Sequence, residues 1–263
     1  MKSPEKVQKH IVKWLKEYLV NSKQNGFVIG ISGGIDSALT STLCALTKFP
    51  VYVIEMPIYQ NINQVSRSRN HMNWLVSNYE NVTPISHSLT KVFNAFKSEI
   101  EKTTQQELDL LSLANTRARL RMTALYYFAG SYKCLVVGTG NKVEDFGIGF
   151  YTKYGDGGVD LSPIADLLKS EVLSLASHLN ILKSILSADP TDGLWDDGRT
   201  DEDQIGAKYE DLEKAMELIK NNISDNNLNK KQIKIRKIYQ KLHSQNKHKM
   251  LSIPVCFIPK EYL

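Results

Sequence analysis

GFVIGISGGIDSALT, residues 26–40, is the stretch whose reading decides the fold. Its first half, FVIGIS (27–32), is short, apolar and β-rich, and predicts a buried strand. Ser37 to Lys48 predicts a helix, stopped before Pro50. Between them, Gly33 and Gly34 allow a tight turn with N–H groups facing inward. Ser32 and Ser37 add hydroxyl donors, and the helix beginning near Ile35 adds its positive end. The run Gly30, Ile31, Ser32, Gly33, Gly34, Ile35, Asp36, Ser37 therefore reads as an anion cradle. It is not a Walker A loop, because GxxxxGK[ST] is absent. Asp36 is the odd member: a carboxylate would repel a phosphate unless a divalent cation such as Mg²⁺ stood between them. Such a cation wants a second oxygen ligand, and Glu144 and Asp145 are the acids on offer after a later strand.

Outward from this turn the chain alternates. Val7, Ile11, Trp14, Leu15, Tyr18 and Leu19 recur at helical spacing ahead of it. VYVIEMP (51–57) predicts a second strand, 64–79 a helix, 82–85 a weak third strand, and 89–101 and 108–128 two helices. CLVVGT (134–139) predicts the fourth strand, followed by a Gly- and Asp-rich loop over 140–165. A helix is expected over 166–179 with Asp166 as its cap, then an acidic loop at 187–201, then helices near 202–221 and 229–243. Strands alternating with helices imply right-handed crossovers and a mostly parallel, doubly wound α/β sheet flanked by helices. Ligands bind such sheets beyond the carboxyl ends of the strands, where the order reverses. The loops after strands one and four, SGGIDS and GTGNKVEDFGIG, are the polar, glycine-rich ones.

Composition narrows the classes. The 263 residues are 42% hydrophobic and 23% charged, with a net charge of +5, which suits anionic small molecules without demanding nucleic acid. The three cysteines form no CxxC, and Cys44 and Cys134 sit on apolar runs that predict packing. The N-terminus has no apolar signal core, and no run is long enough for a membrane helix, so a cytoplasmic protein without a membrane partner is expected. Gly138, Gly140 and Asp160 mimic part of a dinucleotide fingerprint, but Val143 stands where the third glycine belongs, and the dehydrogenase reading is rejected.

SGGIDS after a strand resembles the pyrophosphate loop of the ATP pyrophosphatases. Further segments resemble the NAD synthetases within that group: RARLRM (117–122), GTGNKVED (138–145), GFYTKYGDGGVDLSPIADLLKSEV (149–172), PTDGLW (190–195), TDEDQIG (200–206) and His248-Lys249. The match runs from about residue 26 to 254, in the family's order. The resemblance implies a Rossmann-like fold of the adenine nucleotide alpha hydrolase type. It also implies ATP-dependent amidation of nicotinic acid adenine dinucleotide (deamido-NAD) to NAD⁺ through an acyl-adenylate, with release of AMP and pyrophosphate. It implies Asp36 and Glu144 as Mg²⁺ ligands, and Lys169, Thr139 and Thr191 with the Gly30–Ser37 loop as ATP contacts. Arg119, Lys153, Asp160, His248 and Lys249 match positions holding the acid dinucleotide. Asp156 in YGDGG is the candidate for receiving ammonium, although glycine and aspartate also favour plain turns. Arg117, Arg119 and Arg121 do not share a helix face, so at most two are expected at the site.

The chain departs from the family where many members follow strand two with an acidic stretch: here PIYQNINQVSRSRN is neutral to basic, with Gln60 a possible adenine-side contact. No amidase domain fits in this length, so free ammonia is the expected nitrogen source. A homodimer is expected from the family, with helix 108–128 unusually apolar for one sheet face. One domain over 1–263 is expected: an N-terminal helix at about 4–20, a core at about 26–180, and a lid loop with helices at about 187–263. The alternatives are another ATP pyrophosphatase or a non-catalytic ATP- or AMP-binding module. Nucleic-acid binding through the basic run 229–249 is disfavoured, since Ile235, Ile238, Tyr239 and Leu242 form one packing stripe amid the charges.

Overall fold

Four short β-rich runs pair into one all-parallel sheet in the order β3-β2-β1-β4: β1 Gly26–Gly30, β2 Val51–Glu55, β3 Val82–Ser86 and β4 Cys134–Val136. The structure is a computed structural model and describes residues 1–104, 107–191 and 199–263. Order reversal falls between β1 and β4, so the crevice opens between the loops that follow them. β4 is shorter than the apolar run CLVVGT predicts: beyond it Val137 still donates its N–H to the Val28 carbonyl of β1 at 3.0 Å while forming an isolated bridge with Leu161.

Helices cover both faces. One carries α1 (Pro4–Asn21), α2 (Ile35–Ala45), α3 (Ile62–Asn78), α6 (Lys169–His178) and α7 (Lys183–Leu186). Their apolar stripes, including Ile11, Leu15 and Leu19 of α1, join Phe27, Ile29 and Val53 of the sheet in one buried cluster. α2 is buried nearly all round because it lies between the sheet and its neighbour helices. The other face carries α4 (Thr90–Thr103) and α5 (Leu110–Tyr132), whose Phe93, Leu113 and Ala124 pack on Val28, Ile54 and Val136. Fully burying a Leu or Phe contributes about 1.5–3 kcal/mol, so these clusters hold the sheet against its chain entropy.

A third cluster stands apart: α8 (Asp201–Ile205), α9 (Tyr209–Lys220) and α10 (Lys230–Met250) pack on a π-helical segment, Lys142–Ile148. The helix expected over 202–221 is split in two, since Gly206 adopts φ +77° and ends α8. The acidic loop's residues 192–198, with the DGLW of PTDGLW, lie outside the described residues. Asp166 is not the cap of α6. That helix starts at Lys169, with Glu171 reaching back to accept from the Leu168 N–H at 3.0 Å, while Asp166 pairs with Lys142 at 2.6 Å. Among the described residues, no helix is long and apolar enough to cross a membrane.

Candidate active site

The β1 loop turns back on itself through its serines. Ser32 Oγ and Ser37 Oγ lie 3.0 Å apart, the Gly34 N–H donates to Ser32 Oγ at 3.2 Å, and Ser37 Oγ donates to the Gly34 carbonyl at 3.0 Å. Gly33 has φ +83°, a left-handed conformation suited to glycine, and a Cβ there would lie 2.6 Å from the Gln64 carbonyl. No side chain caps the start of α2, so its first N–H groups remain available to an anion.

The β4 loop faces this turn, and Asn141 joins the two. It is fully buried, its Oδ1 accepts from the N–H groups of Val143 and Glu144 at 3.0 and 3.1 Å, and its Nδ2 donates to Asp36 Oδ1 at 3.0 Å. One side chain thus starts the π-helical segment that carries Glu144 and also orients Asp36. The first residue of α6, Lys169, reaches in from the third side. Its Nζ donates to Asp36 Oδ2 at 2.6 Å and to Glu144 Oε1 at 2.8 Å. Tyr209, the first residue of α9, donates its hydroxyl to the same Glu144 oxygen at 2.6 Å. Neither Asn141 nor Tyr209 was singled out by the sequence reading. Asn141 carries a capping signal, an Asn three residues before an acid, whereas Tyr209 leaves no local trace.

The side chains of Lys169, Asp36 and Glu144 are 13%, 17% and 16% exposed, so their charges act in poorly solvated surroundings. Burial opposes the Lys169 ammonium, but the two carboxylates overcome it and hold the lysine charged, above its ordinary value. Burial likewise opposes the Glu144 carboxylate, and Lys169 with the Tyr209 hydroxyl outweighs it, so Glu144 stays ionised. Burial drives Asp145 well above the usual carboxylate range, reinforced by Glu144, Asp156 and Asp36. The donor chemistry fits Mg²⁺: two carboxylate oxygens converge on one cationic atom, and Mg²⁺ takes one or two carboxylates and completes its shell with phosphate and water oxygens.

These groups line a cavity of about 660 Å³ that includes the whole loop from Gly30 to Ser37, with Thr139, Glu144, Asp156, Lys169, Thr191 and Lys249. The structure therefore gathers every residue expected to touch ATP. Arg121 also lines it, donating to the Met56 carbonyl at 3.1 Å and to Gln60 Oε1 at 2.7 Å. Asp156 accepts from the Thr152 N–H at 2.9 Å.

The set expected to hold the acid dinucleotide is divided. Lys249 is inside, its Nζ tied to the Gly149 and Tyr151 carbonyls at 2.8 Å each. Arg119, Lys153, Asp160 and His248 lie outside the cavity lining. Arg119 is exposed and reaches the Lys153 carbonyl at 3.4 Å, and Lys153 Nζ reaches the His248 carbonyl at 2.9 Å. Asp160 accepts from the Tyr126 hydroxyl at 2.9 Å and from the Val136 N–H at 2.8 Å, which ties α5 to β4.

Comparison with known proteins places the chain among relatives of one family. The NH(3)-dependent NAD(+) synthetase of Carboxydothermus hydrogenoformans is 39% identical over 211 residues, covering 80% of this chain and 83% of the relative. Among solved structures, an NMN synthetase from Francisella tularensis is 30% identical with a TM-score of 0.83, covering 98% of this chain and 99% of that one. An NH3-dependent NAD synthetase from Campylobacter jejuni, solved with a nitrate ion, is 25% identical with a TM-score of 0.75, covering 97% and 100%. The sequence pattern of the NAD synthase family matches residues 7–252, and this chain belongs to that family.

Proposed function

We propose that the chain amidates deamido-NAD to NAD⁺ with ATP and free ammonia. The observation that carries this reading is the meeting of Asp36, Glu144 and Lys169 at the mouth of an uncapped glycine turn. The substrate carboxylate attacks the α-phosphorus of ATP, the bond to the bridging oxygen breaks, and pyrophosphate leaves from an acyl-adenylate. Ammonia then forms a bond to the acyl carbon, the bond to AMP breaks, and the surplus proton goes to a nearby base. Asp36 and Glu144 would hold Mg²⁺, which when bound neutralises charge on the departing pyrophosphate. The N–H groups of Ile35, Asp36 and Ser37, at the uncapped start of α2, would stabilise that charge without reorganisation. Lys169 would supply an ammonium to the phosphates, and Thr139 and Thr191, which line the same cavity, would flank the nucleotide.

Asp156, which lines the cavity, would receive ammonium. Asp145 beside it is driven upward by burial and by neighbouring acids, an environment that favours an added cation. Lys249 holds the Gly149–Tyr151 loop against the cavity from α10. Arg119, Lys153, Asp160 and His248 would serve the distal half of the dinucleotide in a homodimer, where exposed apolar residues of α5 such as Leu110, Leu111 and Tyr127 would be covered. The chain acts as one unit, with the segment after residue 187 as its lid. Three free cysteines fit a reducing cytoplasm.

A second reading keeps the chemistry and shortens the substrate to the nicotinic acid mononucleotide. It is favoured by the high structural likeness to an NMN synthetase and by the position of four expected dinucleotide contacts outside the cavity. Purified protein with ATP and Mg²⁺ should be offered either acid, with ammonium or glutamine, while AMP, pyrophosphate and the amide are measured. Ammonium-dependent NAD⁺ formation with higher kcat/KM for the dinucleotide supports the first reading, and higher kcat/KM for the mononucleotide supports the second. No pyrophosphate with either acid overturns both.

A further inference from the structure

The back of the glycine turn rests on α3. Ser68 Oγ donates to the Ile31 carbonyl at 3.0 Å, and Arg67 Nε donates to the Gly33 carbonyl at 3.2 Å. Gly33 sits so close that an added Cβ would be 3.1 Å from the Ser68 nitrogen and 3.3 Å from the Arg67 Cβ. The turn and α3 are thus packed as one piece, and Arg67 is at the seam, half-buried and lining the cavity that holds Lys169.

Arg67 and Arg69 stand two residues apart on α3 and have different surroundings. Arg69 Nε meets Glu55 Oε1 at 3.1 Å and Oε2 at 3.2 Å, so its charge is balanced. The Gly33 carbonyl takes one of the five N–H donors of Arg67, and among the described residues no carboxylate lies within ion-pair distance of its guanidinium. A partly desolvated cation without a counter-ion among the described residues, beside the uncapped start of α2, is poised for an anion. Its fork suits phosphate oxygens better than a point charge does.

We propose that Arg67 contacts the β,γ end of the nucleoside triphosphate, and so the departing pyrophosphate, while its Nε fixes the Gly33 peptide. This rests on the reading of the cavity as an ATP site. Lys169 and Arg67 then approach the phosphates from opposite elements, α6 and α3. The basic character of QVSRSRN is what places a guanidinium at that position.

The test is equilibrium binding of Mg²⁺·ATP, Mg²⁺·pyrophosphate and AMP to wild type, Arg67→Met, Arg67→Lys and Arg69→Met, without any acid substrate. Melting curves verify that each variant is folded. Arg67→Met should weaken ATP and pyrophosphate by about tenfold or more and leave AMP within twofold, because AMP lacks the phosphates concerned. Arg67→Lys should recover part of the loss, since it restores charge without the fork. Equal loss for ATP and AMP would reduce Arg67 to a support of the turn and overturn the proposal. So would unchanged ATP and pyrophosphate binding, or an Arg69→Met variant that reproduces the Arg67→Met pattern. Wild-type protein that binds ATP as expected but amidates neither acid would overturn the reaction and leave Arg67 judged on the binding data alone.

Discussion

Replacing Lys169 with methionine removes the charge at the centre of the site while keeping most of the side chain's length. Asp36 and Glu144 are then left facing each other, each less than one-fifth exposed. Removing one partner of a buried ion pair costs about 3–5 kcal/mol. An independent bound comes from proton uptake: protonating a carboxyl group of ordinary value 3.8 at pH 7 costs about 4 kcal/mol, which limits the strain the pair can accumulate. The two agree. At about 2–4 °C per kcal/mol for a chain of this size, the melting temperature should fall by about 6–20 °C at pH 7.

The sign of the pH dependence follows from the raised carboxyl group in the variant. The folded variant takes up a proton that the unfolded chain does not, so its stability rises as pH falls from 7 toward the ordinary carboxylate range. The gap to wild type should narrow over that interval, and millimolar Mg²⁺ at pH 7 should narrow it too by supplying the missing positive charge. Calorimetric or fluorescence melting at pH 7 and pH 5, with and without Mg²⁺, reads all three effects. A variant melting within 2 °C of wild type at pH 7, or a gap that widens on acidification, would refute the claim that Lys169 holds two carboxylates together.

Asp36→Asn should lower pyrophosphate release at least about 100-fold with the circular dichroism spectrum intact, since it removes one of the two carboxylates that would hold Mg²⁺ against the phosphates; near-wild-type turnover would remove Asp36 from the chemistry. Gly33→Ala forces a side chain into φ +83° and onto the Gln64 carbonyl. It should destabilise the protein by about 2 kcal/mol or more and weaken ATP binding, both measurable by melting with and without nucleotide. Burial pushes the His71 imidazole down to about 4, beside Ser41 Oγ at 3.0 Å. As pH falls from 6.5 to 4 the unfolded chain gains a proton that the native state refuses, so on the order of 3 kcal/mol of stability drains away across that window. His71→Gln should flatten the melting profile there, and a profile still equally steep would assign the loss to other groups.

Much of this was legible in the sequence because the signals were local. FVIG and VYVIE carry strand character in their own side chains, and SGGIDS announces a tight turn through Gly33, whose φ of +83° suits glycine. Asp36, Glu144 and Lys169 come together as the resemblance implies. What escaped depends on partners far away in the chain. Asn141 matters through a bond to Asp36, and Tyr209 through a bond to Glu144, and no window of sequence contains either pair. Asp166 has the composition of a cap, yet Lys142, from the loop after β4, claims it and the helix starts three residues later. The split between α8 and α9 turned on a single glycine with positive φ, read as the interior of one longer helix. On α5, Arg121 reaches the cavity while Arg119 faces outward, a distinction that spacing alone limits but does not decide.

The sheet order has a consequence for how the molecule comes into being. β1 pairs with β4 only after the intervening hundred residues have been laid down, and the Lys169–Asp36 contact spans 133 residues of chain. Closing loops of that length must precede any reward from the contacts they enable, which slows folding. Two acids and a lysine drawn from such distant points cannot preassemble in a partly folded chain. A substitution far from the site that lowers global stability should therefore reduce the fraction of competent molecules and leave the turnover of each survivor unchanged. Titrating active sites, alongside total protein, separates those two kinds of loss.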